Sequence, residues 1–250
     1  MLRAAVSPAT IASSPALAAF ATAFLAALVP QSAGADLLRR GLSLEFGGNA
    51  SIHVPSLSIP AADFVGEGEA IPVAEAPGTD VWLSPHKLAV IAIATSEMLR
   101  SASAEDLIRQ VLVEATGPAL DRALFSTVPA GPDRPAGLRN GIAALAPAAS
   151  LADALVAVVE SISQVAGNGA VAVIVAPKQS VAINLLLPRQ PPFAVFTSAT
   201  LPDGTVVGIA LNGLASAAGG VPSIEASREA VVHAHTCPGP ISAAASWRDH

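Results

Sequence analysis

Between Pro15 and Pro30 the chain runs from Ala16 to Val29 without a single charge. Proline suits the first turn of a helix and breaks one elsewhere, so two prolines fence this run into one short helix. It falls short of the roughly 18–20 apolar residues that cross a bilayer. Later apolar runs are broken by Asp153, by Pro177-Lys178-Gln179 and by Asn212, so no span is predicted. Composition sharpens the point: 52% of residues are hydrophobic, 13% are charged, and the mean hydropathy is +0.57. A chain this apolar that does not enter lipid is expected to cover much of its surface with partners. The same segment, with Arg3 before it and Ser32-Ala33-Gly34-Ala35 after it, also follows the order of a secretory signal. Its long leading region carries one charge and holds Pro8 and Pro15, which speaks for a structural helix.

The net charge of −6 and the pI near 5.3 leave no basic stripe for phosphate. Seven Phe, two Trp and no Tyr offer few platforms for stacking bases. Direct nucleic-acid binding is therefore not expected. The single Cys237 cannot close an internal disulfide.

Along the chain, residues 1–40 form an Ala-rich arm with a helix over 16–28 and a shorter one near Asp36–Arg40. Leu42 to Phe46 alternates like a strand. Gly47-Gly48-Asn49 is turn chemistry and Ser51 to Val54 the returning strand, which predicts a hairpin. Phe64 to Val73 is extended and irregular; Asp80–Leu83 and Lys87–Thr95 read as further strands. The clearest helix spans about Ala104 to Ser126, with Ser103 as N-cap and Glu105 and Asp106 in its first turn. Its expected apolar stripe is Leu107, Ile108, Val111, Leu112 and Ala115; Glu105 can pair with Arg109, and Pro118 should kink it. Prolines and glycines make Thr127 to Pro147 a loop. Ser150 then caps a helix to about Val165, Ala170–Ala176 is a buried central strand, and Pro177 opens a short helix. Phe193–Phe196 and Thr205–Leu211 are strands around the Pro202-Asp203-Gly204 turn, and Ser223 to His235 is a last long strand.

Catalytic chemistry finds little support. His233, His235 and Cys237 would share one strand face and make weak candidates for a metal, but no second ligand pair accompanies them. Cys237 beside Pro238 lacks any oxyanion-hole signature. Gly66-Glu67-Gly68-Glu69 carries two anions and no following Lys-Ser/Thr, so it is not a phosphate loop. No carboxylate pair has a spacing that argues for acid–base work. The expectation is no enzyme, no cofactor and no membrane.

An ordered set of segments resembles a known family. These are Phe64-Val-Gly-Glu-Gly-Glu-Ala-Ile-Pro-Val73, Leu83-Ser-Pro-His-Lys87, Ala94-Thr-Ser-Glu-Met-Leu99, Leu120-Asp-Arg-Ala-Leu124 and Arg134-Pro-Ala-Gly-Leu138. Val173-Ile-Val-Ala-Pro177, Ser198 to Val206 and Ile224 to Arg228 continue the series. Together, over about residues 36–240, they resemble the major capsid proteins of tailed bacteriophages with the Hong Kong 97-type fold.

That resemblance implies an α+β fold with an N-terminal arm (1–40), an E-loop hairpin with adjoining strands (41–95) and a peripheral domain carrying a long spine helix (96–147). An axial α/β domain (148–215) follows, then a return strand and tail (216–250). It implies a homo-oligomer: hexamers and pentamers closing into an icosahedral shell that encloses DNA, with portal and scaffold or protease proteins as partners. The places implied are the virion and, during assembly, the bacterial host cytoplasm. Lys87, Asp121 and Arg122 are the expected interface residues, the last two as a pair on the outer face of the spine helix. The rival of the same fold is an encapsulin-type compartment, and a more distant one a secreted α/β binding protein or hydrolase. Pro238-Gly239-Pro240 should end the last strand early and leave an unpaired edge at Ser223–His235.

Some relatives cross-link an E-loop Lys to a peripheral-domain Asn. Here Lys87 is the only lysine near the E-loop and Arg228 to Cys237 holds no Asn. Particles boiled in SDS should therefore release single 24.9 kDa chains, and a ladder of multimers would contradict this.

Overall fold

A computed structural model of the chain describes residues 9–10, 15–47, 50–57, 78–94, 97, 100–101, 103–167, 169–187, 191, 193–219 and 222–226. The first half runs β1 (Ala9–Thr10), α1 (Pro15–Leu28), α2 (Ala33–Arg40), β2 (Leu42–Glu45), β3 (Ile52–Leu57), β4 (Gly78–Leu83) and α3 (Ala104–Leu124). The second half runs α4 (Leu151–Ala166), β5 (Val171–Val175), α5 (Pro177–Leu186), β6 (Ala194–Thr197), β7 (Val206–Ala210), β8 (Ala215–Ala218) and β9 (Glu225–Ala226).

The proline-fenced run is indeed a helix. Phe20, Phe24 and Leu28 recur every four residues on one side of α1 and bury against Val113 of α3, with Ile108 and Leu112 alongside. No helix among the described residues is long and apolar enough to cross a membrane. Arg109 fastens the contact: its guanidinium lies 5.4 Å over the Phe20 ring. It also pairs with Glu105 at 2.8 Å and Asp106 at 2.9 Å, so the expected ion pair gains a second acid. The helix runs on through Pro118. Two expectations for α3 need correction. Ser103 makes no capping bond; its hydroxyl lies 3.0 Å from that of Ser101. The buried face is Val113, Gly117 and Asp121, while Leu107 and Val111 are exposed, because α1 and the turn into α2 cover the neighbouring side of the helix.

The second half is an α/β unit whose sheet carries α4 and α5 on one face and is covered on the other by α2 and the end of α3 from the first half. The sheet order is β6-β5-β7, with β6 parallel and β7 antiparallel to β5. The Pro202-Asp203-Gly204 turn thus joins strands that are not neighbours, since β5 lies between them. As the uninterrupted apolar run predicts, Ala172 through Ala176 are fully buried. The even residues Ala172 and Ile174 face Leu37 of α2 and Phe125 at the end of α3. The odd residues Val173 and Val175 face Leu155 of α4 and Ile183 of α5. Ser150 caps α4 as expected, accepting the Asp153 amide at 3.2 Å.

The hairpin predicted over residues 42–54 is not formed. β2 pairs in parallel with β8, from Leu42↔Ala215 to Glu45↔Ala218, a strand that Ala and Ser disguise. β3 pairs instead with β4, from Ile52↔Leu83 to Leu57↔Gly78. Gly47 does adopt the turn conformation at φ +54°, but the chain leaving it does not fold back on β2. The strand expected over Lys87–Thr95 is also absent: residues 84–94 form no regular element. Of the expected last strand residues 223–226 are described, and Glu225–Ala226 among them form a strand paired antiparallel with Ala9–Thr10. Residues 227–235 of that expected strand, the Pro238-Gly239-Pro240 break and the segment Phe64–Val73 lie outside the described residues.

The fit of α4 on β7 depends on Gly208, where an added Cβ would sit 2.3 Å from Val158 Cγ1. Gly208→Ala should lower subunit stability by about 1–3 kcal/mol through overpacking. Gly219→Ala, with open space around it, should stay within about 0.5 kcal/mol. Denaturant melts of both variants check the pair.

Candidate assembly site

Asp121 does not lie on the outer face of the spine helix. It is 5% exposed, among two equally hidden serines. Its Oδ1 accepts the Ser32 hydroxyl at 2.6 Å and the Gly34 amide at 2.9 Å. Its Oδ2 accepts the Ser198 hydroxyl at 2.7 Å. Ser32 is the N-cap of α2, and its oxygen also accepts the Ala35 amide at 3.1 Å. Because Ser198 spends its proton on Asp121, Thr200 must donate to Ser198 across their 2.9 Å contact. A buried carboxylate is costly unless hydrogen-bonded; here it meets three donors and the positive end of α2. The expected surface pair with Arg122 is thereby corrected: neighbours on a helix point about 100° apart, and here Asp121 is buried while Arg122 is exposed.

Arg122 is exposed and forms no ion pair among the described residues. Lys87 is exposed on the irregular stretch 84–94, near Leu88, Val90, Ile91 and Ile93, all of them exposed as well. His233, His235 and Cys237 lie outside the described residues. Sequence reasoning missed Ser32 and Ser198. A serine directly before a helix start is an N-cap signal that could have found the first; nothing local marks the second.

What remains for partners is apolar surface spread over four places. The β3–β4 ribbon shows Val81 and Trp82, the latter 5.0 Å from the His53 ring. The stretch 88–93 shows Ile91, 84% exposed. Leu107 and Val111 of α3 line a small apolar hollow with Ala92, Ile93 and Ala94. Helices α4 and α5 show Val156, Val165, Val181, Leu185 and Leu186. An isolated two-stranded ribbon is marginal in water, and exposed apolar surface on this scale marks association.

The model of the phage capsid family matches residues 16–186. The chain belongs to that family. It is a phage major capsid protein, a component of the virion whose copies form the shell. No curated protein matches it. Among solved structures it is similar to the capsid of an empty GTA particle at 16% identity, over 72% of this chain and 74% of that one, with a TM-score of 0.48. The capsid of the native GTA particle gives 16%, 69%, 70% and 0.48. The capsid of the cyanophage P-SCSP1u gives 14%, 65%, 62% and 0.34.

Asp121→Ala would strand three buried donors, and each orphaned group costs about 1–3 kcal/mol. The capsid subunit should therefore lose several times the stability that Asp121→Asn costs. In the amide, the oxygen can keep the Ser32 and Gly34 bonds while Ser198 turns its proton toward Thr200. Thermal melting of the two variants distinguishes them, and equal losses would contradict this account.

Proposed function

We propose that this capsid protein assembles in the Hong Kong 97 manner, as hexamers and pentamers of an icosahedral shell around DNA. Residues 1–40 act as the arm and 41–95 as the E-loop region. Residues 96–147 form the peripheral domain with α3 as spine helix, 148–215 the axial domain, and 216–250 the return to the periphery. The observation that carries this is the apolar surface left open on the ribbon, the 88–93 stretch and the α4–α5 pair of a chain with only 13% charge. Such surface is expected where identical copies bury it against one another. An acidic net charge suits a wall that encloses a genome without gripping it. Portal and scaffold or protease proteins complete the assembly, and the role needs no catalysis. Lys87 and Arg122 serve as charged contacts between subunits.

Untagged protein should elute as capsomers or megadalton shells; a monomer at every concentration overturns the proposal. Shells purified from infected or induced cells should hold DNA, whereas shells packed with protein would favour an encapsulin-type compartment. Arg122→Glu should reduce capsomer formation with no change in the melting temperature of the subunit, because its side chain is exposed and makes no bond among the described residues.

A further inference from the structure

Helix α5 buries only Ile183 and leaves Val181, Leu185 and Leu186 exposed. Several large apolar side chains left in water on one short helix mark a contact surface. On its outer side, Lys178, Val181 and Leu185 follow at i, i+3 and i+7 and so form one stripe, with Val181 61% and Leu185 79% exposed. Neighbouring α4 presents a second stripe of Asp153, Val156 and Glu160, with Val156 65% exposed. The two helices carry opposite charge. Lys178 is the sole charged residue of α5, and Asp153 and Glu160 are the sole charged residues of α4. The helices pack side by side over Val173 and Val175 within one chain. Even so, no salt bridge joins them among the described residues, and the side chains of Lys178 and Glu160 make no hydrogen bond there either. Asp153 is already held by the Ser150 hydroxyl at 2.7 Å, which leaves Glu160 as the free acid.

We infer that the α5 stripe of one copy docks on the α4 stripe of the next, with Val181 and Leu185 against Val156 and Lys178 paired to Glu160. The contact is head-to-tail: each copy offers α5 on one side and receives on α4, so repetition propagates and a closing rotation makes a ring. The apolar residues supply the burial, while the opposite charges set orientation and disfavour α5 meeting α5, where two lysines would face each other. The occupant is a second copy of this chain. Its family forms shells from copies of itself, and the complementary charge is present on the same molecule. This inference rests on the shell reading and adds to it the faces that meet.

A charge swap tests it. Lys178→Glu and Glu160→Lys, each alone, should weaken capsomer formation by about tenfold, as a like-charge contact of about 1.4 kcal/mol would. Both side chains are exposed, so each subunit should melt like wild type. The double variant restores opposite charges and should regain assembly to within about threefold, the coupling that a double-mutant cycle isolates. Leu185→Asp should abolish capsomers in either background. Single variants that assemble normally, or a double variant no better than the singles, would overturn the contact while leaving the shell reading intact. Wild-type protein that never leaves the monomeric state would overturn both.

Discussion

One buried carboxylate holds three parts of the subunit together. Asp121 lies on α3, Ser32 and Gly34 at the turn from α1 into α2, and Ser198 just after β6 of the α/β unit. The partners are 89, 87 and 77 residues away along the chain, so the bonds close long loops rather than decorate one helix. Hydrogen bonds to an ionised group are the strong ones, at about 1.5–3 kcal/mol each, and they are directional. Apolar packing alone would let α2 slide between the sheet and α3; the carboxylate sets its register.

From that junction the layers follow. With α2 fixed, Leu37 is completely buried and presses on the sheet face formed by Ala172 and Ile174. Arg40, one turn on, lies 5.1 Å over the Phe196 ring of β6. Gly41 then lets β2 start against the Leu214 carbonyl, where a Cβ would come within 2.6 Å, and the β2–β8 ladder opens with Leu42 donating to that carbonyl at 2.9 Å. The end of α3 and the α/β unit therefore share one core.

The inner face of the subunit is finished and the outer faces are not. Every inward residue of β5 has a partner layer, while α5, the ribbon and the 88–93 stretch keep large apolar side chains in water. In the proposed assembly that surface meets neighbouring copies, so part of the chain's high apolar content serves contacts between subunits.

Local rules determined a good deal from the sequence itself. Pro15 and Pro30 bounded α1, Ser150 started α4, and the unbroken run Ala170–Ala176 marked the central strand, each through chemistry confined to a few neighbouring residues. The ordered family segments pointed to a capsid shell. Tertiary structure alone decided the pairing of strands: the Gly47 turn did not make a hairpin, and β2 found β8, whose Ala-Ser sequence carries no strand signal of its own. It alone decided which side of α3 is inside. Periodicity counts apolar residues and chose Leu107 and Val111, whereas the buried face is Val113, Gly117 and Asp121. A glycine is hidden there because another helix comes close, and an aspartate because three donors distant in sequence converge on it. Neither cause is visible until the chain has folded.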